Sequence, residues 1–365
     1  MIWAGANGCK IMKTKLYFLI LAATAFLLSS CTPGSEPLPR VFVFTDINID
    51  AGDPDDRQSL IHLLWYADEL NIEGIVPDRW YAGGLEACIL AVEAYARDFD
   101  EFDLGRKGYP DPGFMEGAIA KDLEDAIERF HSAASDRGSP LYVLIWGNMA
   151  NFGEALRQKP EVADNIRLIT IGTGLMMEEH RPYIPENWEL TDKPCDQPNW
   201  NGEGRNRVYN DNRFNDMWWL EINWTYEGMF SGNEPYEMFE RLTKYGALGL
   251  HIWEVVESQP WAHYFRVGDT PSVLYVIDPE NDLDDPTAGS WAGKFVRPLP
   301  DERPNYYTDS SGLVEWDYSD PCNTWDNHVE MRDYARSTLE KARAAMYEAL
   351  LDKLSYIYGT RATSH

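Results

Sequence analysis

The stretch R-V-F-V-F-T-D-I-N-I-D-A-G-D-P-D-D-R-Q-S-L-I-H-L-L-W-Y-A-D-E-L, from Arg40 to Leu70, decides the fold. Its β-branched and aromatic residues Val41 to Thr45 predict a buried strand, and the leucines after Ser59 are spaced for one face of a helix. Five aspartates lie between the strand and the helix: Asp46, Asp50, Asp53, Asp55 and Asp56. Because α/β sheets bind ligands at the carboxyl ends of their strands, this Asp-rich loop is the predicted site.

The aspartates of this loop predict a cation. So many carboxylates repel one another unless a cation joins them, and a hard divalent metal, first of all Ca²⁺, suits oxygen ligands. An EF-hand loop does not fit, because Ala51 and Arg57 occupy its glycine and glutamate positions. The alternative is that Asp55 and Asp56 only cap the helix that follows them.

Composition restricts the partners of the protein. The chain has 365 residues and a formal net charge of -28. That charge argues against nucleic acid or an anionic membrane surface as a partner, and it favours cations and neutral or cationic substrates. A homo-oligomer stays open. Because no repeat and no second composition regime appears, we expect one domain over residues 40–357.

The N-terminal residues have the features of an export signal. Met12 is followed by Lys13, Lys15 and an apolar run that ends in L-S-S-C at Cys31. This ending resembles a bacterial lipobox, which would make Cys31 the lipidated N-terminus, residues 1–31 a signal that truly starts at Met12, and residues 32–39 a tether. We therefore expect an exported protein, anchored by lipid to the bacterial outer membrane. The alternative is a simple signal peptide cut nearby.

Three cysteines follow the predicted signal. Cys88 lies in an apolar, helix-like stretch, so we expect a buried thiol. Cys195 and Cys322 lie in loop-like surroundings, and a bridge between them is an open question. Since the sequence has no C-x-x-C pair, zinc is not favoured.

The remainder of the chain alternates strands with helices, which predicts a mostly parallel sheet flanked by helices. The predicted strands after the first are Ile72–Val76, Leu141–Trp146 and Ile166–Ile171, with another proposed at Trp218–Trp224. The predicted helices include Leu85–Arg97, Met115–Ala134 and a long final helix from Asn327 to Ile357. Residues 180–216 lack periodicity, which favours a functional loop or lid.

Two motifs carry a resemblance to a known family. The T-D…D-P-D-D-x-x-S-L pattern of Thr45 to Leu60, followed by I-E-G-I at 72–75, resembles the nucleoside hydrolase superfamily. With G-D-T-P-S at 268–272 and G-S-W-A-G at 289–293, it is similar to an exported bacterial branch of nucleoside-hydrolase-like proteins often labelled cellulose-binding. The resemblance covers roughly Arg40 to Met346, and it implies a nucleoside-hydrolase-like α/β fold that binds Ca²⁺.

The resemblance also implies roles for individual residues. Asp46 would bind Ca²⁺ and accept a proton from the attacking water, and Asp55 would hydrogen-bond sugar hydroxyls. The other implied metal ligands are Asp56, the backbone carbonyl of Trp146, and Asp269. The other implied substrate-binding residues are Asn148, Glu221 and Asn223, the last two because L-E-I-N is similar to the family's A-E-F-N. In the alternative interpretations, Glu221 and Asn223 form a solvated face of a strand, and Asp269 is only an acidic residue in the turn before Pro271.

The implied activity is calcium-dependent hydrolysis of an N- or O-glycosidic bond in a small glycoside or oligosaccharide. A carboxylate base beside a metal-activated water would invert the anomeric centre. The missing histidine at residue 268 favours a non-catalytic, calcium-dependent carbohydrate-binding lipoprotein instead, whereas the retained Asp46, Asp55 and Asp56 favour the enzyme. Gly268 stands where the hydrolases often have a histidine, and Arg79 and Trp80 stand where they have a sugar-binding Gly-Asn. A third alternative is a scaffold in which calcium is only structural.

Overall fold

The computed structural model describes residues 37–49, 54–172, 202–316, 318 and 328–359. Leu38 begins a compact unit that continues to the C-terminus. The predicted signal segment 1–31 and most of the tether 32–39 lie outside the described residues. In the described ranges, no helix combines the length and the apolar character needed to cross a membrane.

A mostly parallel sheet forms the centre of the protein, as predicted. Seven strands are described, in the spatial order β2-β1-β3-β4-β5-β7-β6. Neighbours are parallel except for β6, which pairs antiparallel with β7. The strands are β1 (Arg40–Thr45), β2 (Asn71–Pro77), β3 (Leu141–Trp146), β4 (Ile166–Ile171), β5 (Trp218–Ile222), β6 (Phe295–Val296) and β7 (Tyr306–Asp309).

Helices connect and cover the strands. Those described are α1 (Asp55–Trp65), α2 (Gly84–Glu101), α3 (Pro112–Ala118), α4 (Leu123–Ser135), α5 (Ala150–Gln158), α6 (Gly202–Tyr209), α7 (Glu234–Leu242), α8 (Gly246–Val256), α9 (Pro271–Ile277) and α10 (His328–Tyr358). The predicted helix at Leu85–Arg97 and the long final helix are confirmed. Cys88 is a buried free thiol in α2, also as predicted.

The single helix predicted over Met115–Ala134 is wrong, because the chain forms α3 and α4 there. Between them Ile119 makes a parallel bridge to Ile75, and the N–H of Ala120 donates to the carbonyl of Ile75 at 2.8 Å. Asp122 then caps α4 by accepting the N–H of Asp125 at 2.9 Å. The apolar spacing continues across this break, so periodicity alone did not reveal it.

The strand β1 is buried on both faces, because its side chains alternate between two cores. Val41 and Val43 pack into a core that includes α1, α2 and α8, whereas Phe42 and Phe44 pack into a second core with α4 and α5. The rings of Phe42 and Phe44 meet Phe130 edge to face at centroid distances of 5.6 and 5.8 Å. The result is a sheet sandwiched between two helical layers.

The strand order places a switch point beside β1. The chain passes from β1 to β2 on one side and returns to place β3 on the other. In this class of sheet, ligands bind outside the carboxyl ends of the strands where the order reverses. Thr45 of β1 pairs with Trp146 of β3 at that edge, so the residues directly after them line the crevice.

Arg40 fixes the opposite end of β1. Its guanidinium pairs with both carboxylate oxygens of Glu73 in β2, at 2.6 and 2.8 Å. It also donates to the carbonyls of Ala133, Asp136 and Ser139 around the turn that leads into β3. Because this buried guanidinium meets a carboxylate and three carbonyls, it joins β1, β2 and the approach to β3.

The end of α10 is tied to the helices of the first core. The Tyr358 hydroxyl donates to the carboxylate of Asp98 in α2 at 2.6 Å and accepts from the indole of Trp65 in α1 at 3.0 Å. The same Asp98 carboxylate accepts the N–H groups of Ala247 and Leu248 at the start of α8. The C-terminal helix is therefore joined to α1, α2 and the start of α8 by buried hydrogen bonds.

Gly74 in β2 gives a test of the second core. A Cβ at this position would lie 2.2 Å from Cε2 of Phe42, which no native packing tolerates. We expect Gly74→Ala to lower the free energy of unfolding by about 1–3 kcal/mol through overpacking, measured by urea denaturation. Gly117→Ala is the matched control, because a Cβ there meets nothing within 4 Å. It should leave stability unchanged or raise it by about 0.5–1 kcal/mol, and equal losses in both variants would contradict this account.

Candidate functional site

Three carboxylates converge at the carboxyl edge of the sheet. Asp55 and Asp56 open α1, and Asp269 lies just before α9. Carboxylate oxygens of these three residues lie within 4.8 Å of one another. The site therefore joins residues more than 200 positions apart in the sequence, and it includes three of the predicted metal and sugar ligands.

Asp56 is largely buried, with a relative exposure of 9%. Its carboxylate accepts a short hydrogen bond from the hydroxyl of Thr45, the last residue of β1. Burial raises the pKa of Asp56 well above its usual range, and the negative charges of Asp269, Asp46 and Asp55 raise it further. The hydrogen bond from Thr45 acts in the opposite direction. Asp269, Asp46 and Asp55 therefore all lie near enough for their charges to act on Asp56.

Asp55 lies against the backbone of Gly268. A Cβ at Gly268 would lie only 2.7 Å from Oδ2 of Asp55. Gly268 is the position where the hydrolases often carry a histidine. A side chain at residue 268 and the observed position of the Asp55 carboxylate exclude each other.

Two aromatic rings border the same point. Cε1 of Phe230 and Cδ2 of Tyr226 lie 3.4 and 3.5 Å from the place a Cβ of residue 268 would occupy. The rings, both half-buried, meet edge to face at a centroid distance of 5.8 Å. The Arg266 guanidinium lies over the Phe230 ring, 4.8 Å from its centroid. An aromatic surface therefore adjoins the carboxylate of Asp55.

Asp269 and Trp146 are linked through Ser272. The Trp146 indole donates to Oγ of Ser272 at 2.8 Å, and the Ser272 hydroxyl donates to the carbonyl of Asp269 at 2.7 Å. The backbone carbonyl of Trp146 accepts the N–H of Asp46 at 3.1 Å. Because a carbonyl has two lone pairs, a second partner such as a metal is compatible with this bond. The role of this carbonyl as a ligand stays a prediction.

Asp46 lies beside the cluster but pairs with another group. Its Oδ2 forms a short ion pair with Nη2 of Arg79, the residue after Asp78 at the end of β2. Among the described residues, the acids that converge on one point are Asp55, Asp56 and Asp269, and Asp46 is not one of them. The structure does not place Asp46 among the converging acids. Its roles as metal ligand and base therefore stay predictions.

Glu221, predicted to bind sugar, is completely buried in a salt bridge. Both of its carboxylate oxygens pair with the Arg205 guanidinium, at 2.8 and 2.7 Å, and one also accepts the Tyr306 hydroxyl at 2.6 Å. Arg205 is only 3% exposed. The alternative of a solvated strand face is wrong, and the contacts indicate a structural role for Glu221.

Asn223 and Asn148 lie at the same edge of the sheet. Asn223 is buried, and its side-chain amide donates to the Thr308 hydroxyl at 3.0 Å. Its Oδ1 meets no hydrogen-bond donor in the described ranges, which leaves an acceptor available for a ligand. Oδ1 of the half-buried Asn148 accepts the N–H of Ala150 at 2.7 Å, at the start of α5. Binding of substrate by either asparagine stays a prediction.

Asp78 is a buried acid near the site that the sequence analysis missed. Asn151 donates to its Oδ1 at 2.7 Å, whereas its Oδ2 has no hydrogen-bond partner among the described residues. Burial raises the pKa of Asp78 to about 8, and the nearby charge of Asp46 raises it too. Its position directly after a predicted strand was the available signal, the same one that identified Asp46.

Several predicted features lie outside the described residues. These are Asp50, Asp53, the predicted lipidation site Cys31, both members of the Cys195 and Cys322 pair, and residues 180–201 of the predicted loop. The assignments made for them stay predictions. The described remainder of that loop is not irregular throughout, because it contains α6.

Comparison with known proteins shows which families and solved structures this chain is similar to. A family model described as "Cellulose-binding Sde182, nucleoside hydrolase-like domain" matches residues 40–295. A solved nucleoside hydrolase-related hypothetical protein from Saccharophagus degradans, associated with carbohydrate metabolism, is similar over 90% of this chain and 74% of that chain, with 16% identity and a TM-score of 0.54. An inosine-uridine preferring nucleoside hydrolase from Bacillus anthracis is similar over 83% and 100%, with 14% identity and a TM-score of 0.43. No curated protein matches the sequence.

The first solved structure supports the nucleoside-hydrolase-like fold, and at this identity it supports the fold alone. The family model carries the assignment, because it extends from the first residue of β1 to the first residue of β6. It therefore covers the Asp-rich loop, the partner acid Asp269 and the strands that bring them together. On this evidence the chain belongs to the cellulose-binding Sde182, nucleoside hydrolase-like domain family.

Proposed function

We propose that this protein binds a carbohydrate through a Ca²⁺ ion held by Asp55, Asp56 and Asp269. The observation that carries the proposal is the convergence of their carboxylate oxygens within 4.8 Å. Like charges at this separation repel one another strongly away from bulk water, and a divalent cation converts that repulsion into attraction.

The donor set suits a hard cation. All three side chains offer carboxylate oxygen, and neither histidine nor cysteine belongs to this cluster in the described chain. The second lone pair of the Trp146 carbonyl would add a further oxygen. When bound, calcium accepts about six to eight oxygen ligands, so sugar hydroxyls can complete its shell.

The surroundings of the cluster suit a neutral sugar. A net charge of -28 disfavours anionic ligands. The half-buried rings of Tyr226 and Phe230 adjoin Asp55, and they offer apolar surface to the C–H face of a sugar ring. Together with the cellulose-binding description of the family, this supports a β-glucan oligosaccharide as the ligand class.

Calcium binding gives the first test. Isothermal titration of the metal-free protein with CaCl₂ should show one site, and Asp56→Asn or Asp269→Asn should weaken it at least about 100-fold, because affinity depends on ligand charge. Asp301→Asn, which changes an exposed acid, is the matched control and should bind as the wild type does. Equal affinities in all four proteins would exclude this cluster as the metal site.

Sugar binding gives the second test. With calcium present, we expect Tyr226→Ala to weaken the binding of cellohexaose about tenfold through lost ring contact, or about 1.4 kcal/mol. Tyr356→Ala removes a tyrosine that is 64% exposed on α10 and should have no effect. Calcium removal by EDTA should abolish binding to every variant. Binding that survives EDTA would show that sugar recognition does not need the metal.

A second candidate function is hydrolysis of an N- or O-glycosidic bond in a small glycoside, ribosides included. The observation in its favour is the position of Asp46, whose charge acts on Asp56 although its carboxylate pairs with Arg79. If released from Arg79, Asp46 would accept the proton of an attacking water, while the water oxygen bonds to the anomeric carbon and the glycosidic bond breaks.

Turnover of nucleosides and aryl glycosides tests this second function. If the protein hydrolyses any of them in the presence of calcium, Asp46→Asn should lower kcat by at least about 100-fold, as expected for loss of a general base. Thermal unfolding of the variant controls for its fold. Unchanged turnover in Asp46→Asn would remove Asp46 from the mechanism.

A further inference from the structure

The ion pair between Arg79 and Asp46 is built into the fold. The Arg79 side chain is 31% exposed and that of Asp46 8%, so the pair lies at the inner edge of the site. The carbonyl of Arg79 accepts the N–H groups of Ala82 and Gly84 at 3.0 and 3.1 Å. These bonds form the tight turn after β2 and fix the backbone from which the guanidinium projects.

This turn packs against the loop after β1 at a distance that glycine permits. A Cβ at Gly83 would lie 2.6 Å from Cγ2 of Ile49, and one at Gly84 would lie 2.7 Å from the carbonyl oxygen of Ile47. Gly83 also has a φ of +75°, which disfavours other residues. The N–H of Ile49 donates to the carbonyl of Ala82 at 3.0 Å, so the two loops are joined as one unit.

The other side of Asp46 is closed by Gly147. This residue has a φ of +89°, and a Cβ on it would lie 3.0 Å from Oδ1 of Asp46. Gly147, the residue after β3, therefore lies against the Asp46 carboxylate, whose Oδ2 pairs with Arg79. Among the described residues, the acids that converge for a metal do not include Asp46.

We propose that Arg79 is a positioning residue that holds Asp46 out of the cation site, so that calcium is bound by Asp55, Asp56 and Asp269 without it. This inference rests on the proposed calcium site. The Arg79 guanidinium balances the charge of the Asp46 carboxylate and competes with a metal or a proton for it. The arrangement favours binding of a sugar over cleavage of its glycosidic bond.

Calcium titration calorimetry on a double-mutant cycle tests the proposal. We expect Arg79→Met to raise calcium affinity at least about tenfold, because Asp46 then adds a fourth carboxylate and affinity follows the number of charged ligands. In the wild-type background, Asp46→Asn should change calcium affinity less than about threefold, and in the Arg79→Met background it should cancel the whole gain. Thermal unfolding in EDTA checks that each variant is folded.

Two control variants distinguish an effect of the cation beside Asp46 from a general effect of removing positive charge from the protein. Arg79→Lys keeps a cation beside Asp46 and should retain wild-type affinity, whereas Arg106→Met removes an 86% exposed guanidinium and should change nothing. Unchanged calcium affinity in Arg79→Met, or a gain that survives Asp46→Asn, would overturn the role of Arg79. If Asp46→Asn in the wild-type background lowered calcium affinity as much as Asp56→Asn does, that result would also overturn the role of Arg79. Absence of calcium binding in the wild type would instead overturn the proposed function.

Discussion

Repulsion between carboxylates is the constraint on which this site depends. The fold brings Asp55, Asp56 and Asp269 within 4.8 Å of one another at the edge of a buried sheet. Burial and the neighbouring charges push the pKa of Asp56 upward, while the Thr45 hydroxyl only partly offsets them. An arrangement of this kind is stable when a proton, a cation or a guanidinium balances the charge, and the protein has elements suited to each.

The parallel sheet is what makes the convergence unavoidable. The strand β1 is buried on both faces, and its partner β3 returns beside it in register, with Thr45 opposite Trp146. Whatever follows these strands meets at one edge. Ser272 then connects Trp146 to the carbonyl of Asp269, so the third acid is held by the same strand that lines the crevice. The packing of the sheet therefore also places the residues of the site.

Local features could be predicted from the sequence, and contacts between distant segments could not. The alternation of Val41 to Thr45 and the aspartates beside it are contiguous, so they predicted β1 and the acids after it. Asp269 was found through resemblance to a family. The partner of Glu221, Arg205, carries no signal in the sequence, because only the tertiary fold joins the two. The break between α3 and α4 was missed because a bridge to Ile75 interrupts a helical pattern that continues in the sequence.

Asp46 pairs with Arg79, whereas Asp55, Asp56 and Asp269 converge, and this arrangement determines the net charge of the site. Arg79 balances Asp46, which leaves three carboxylates for a divalent cation and one negative charge in excess. Asp55 and Asp56 lie in the first turn of α1, where the helix dipole favours an anion. Without the guanidinium, four carboxylates and one divalent cation would leave an excess of two. In the proposed calcium site, the guanidinium would therefore keep the charge near that which one calcium ion and one helix terminus can accommodate, and a neutral sugar would need no further counter-ion.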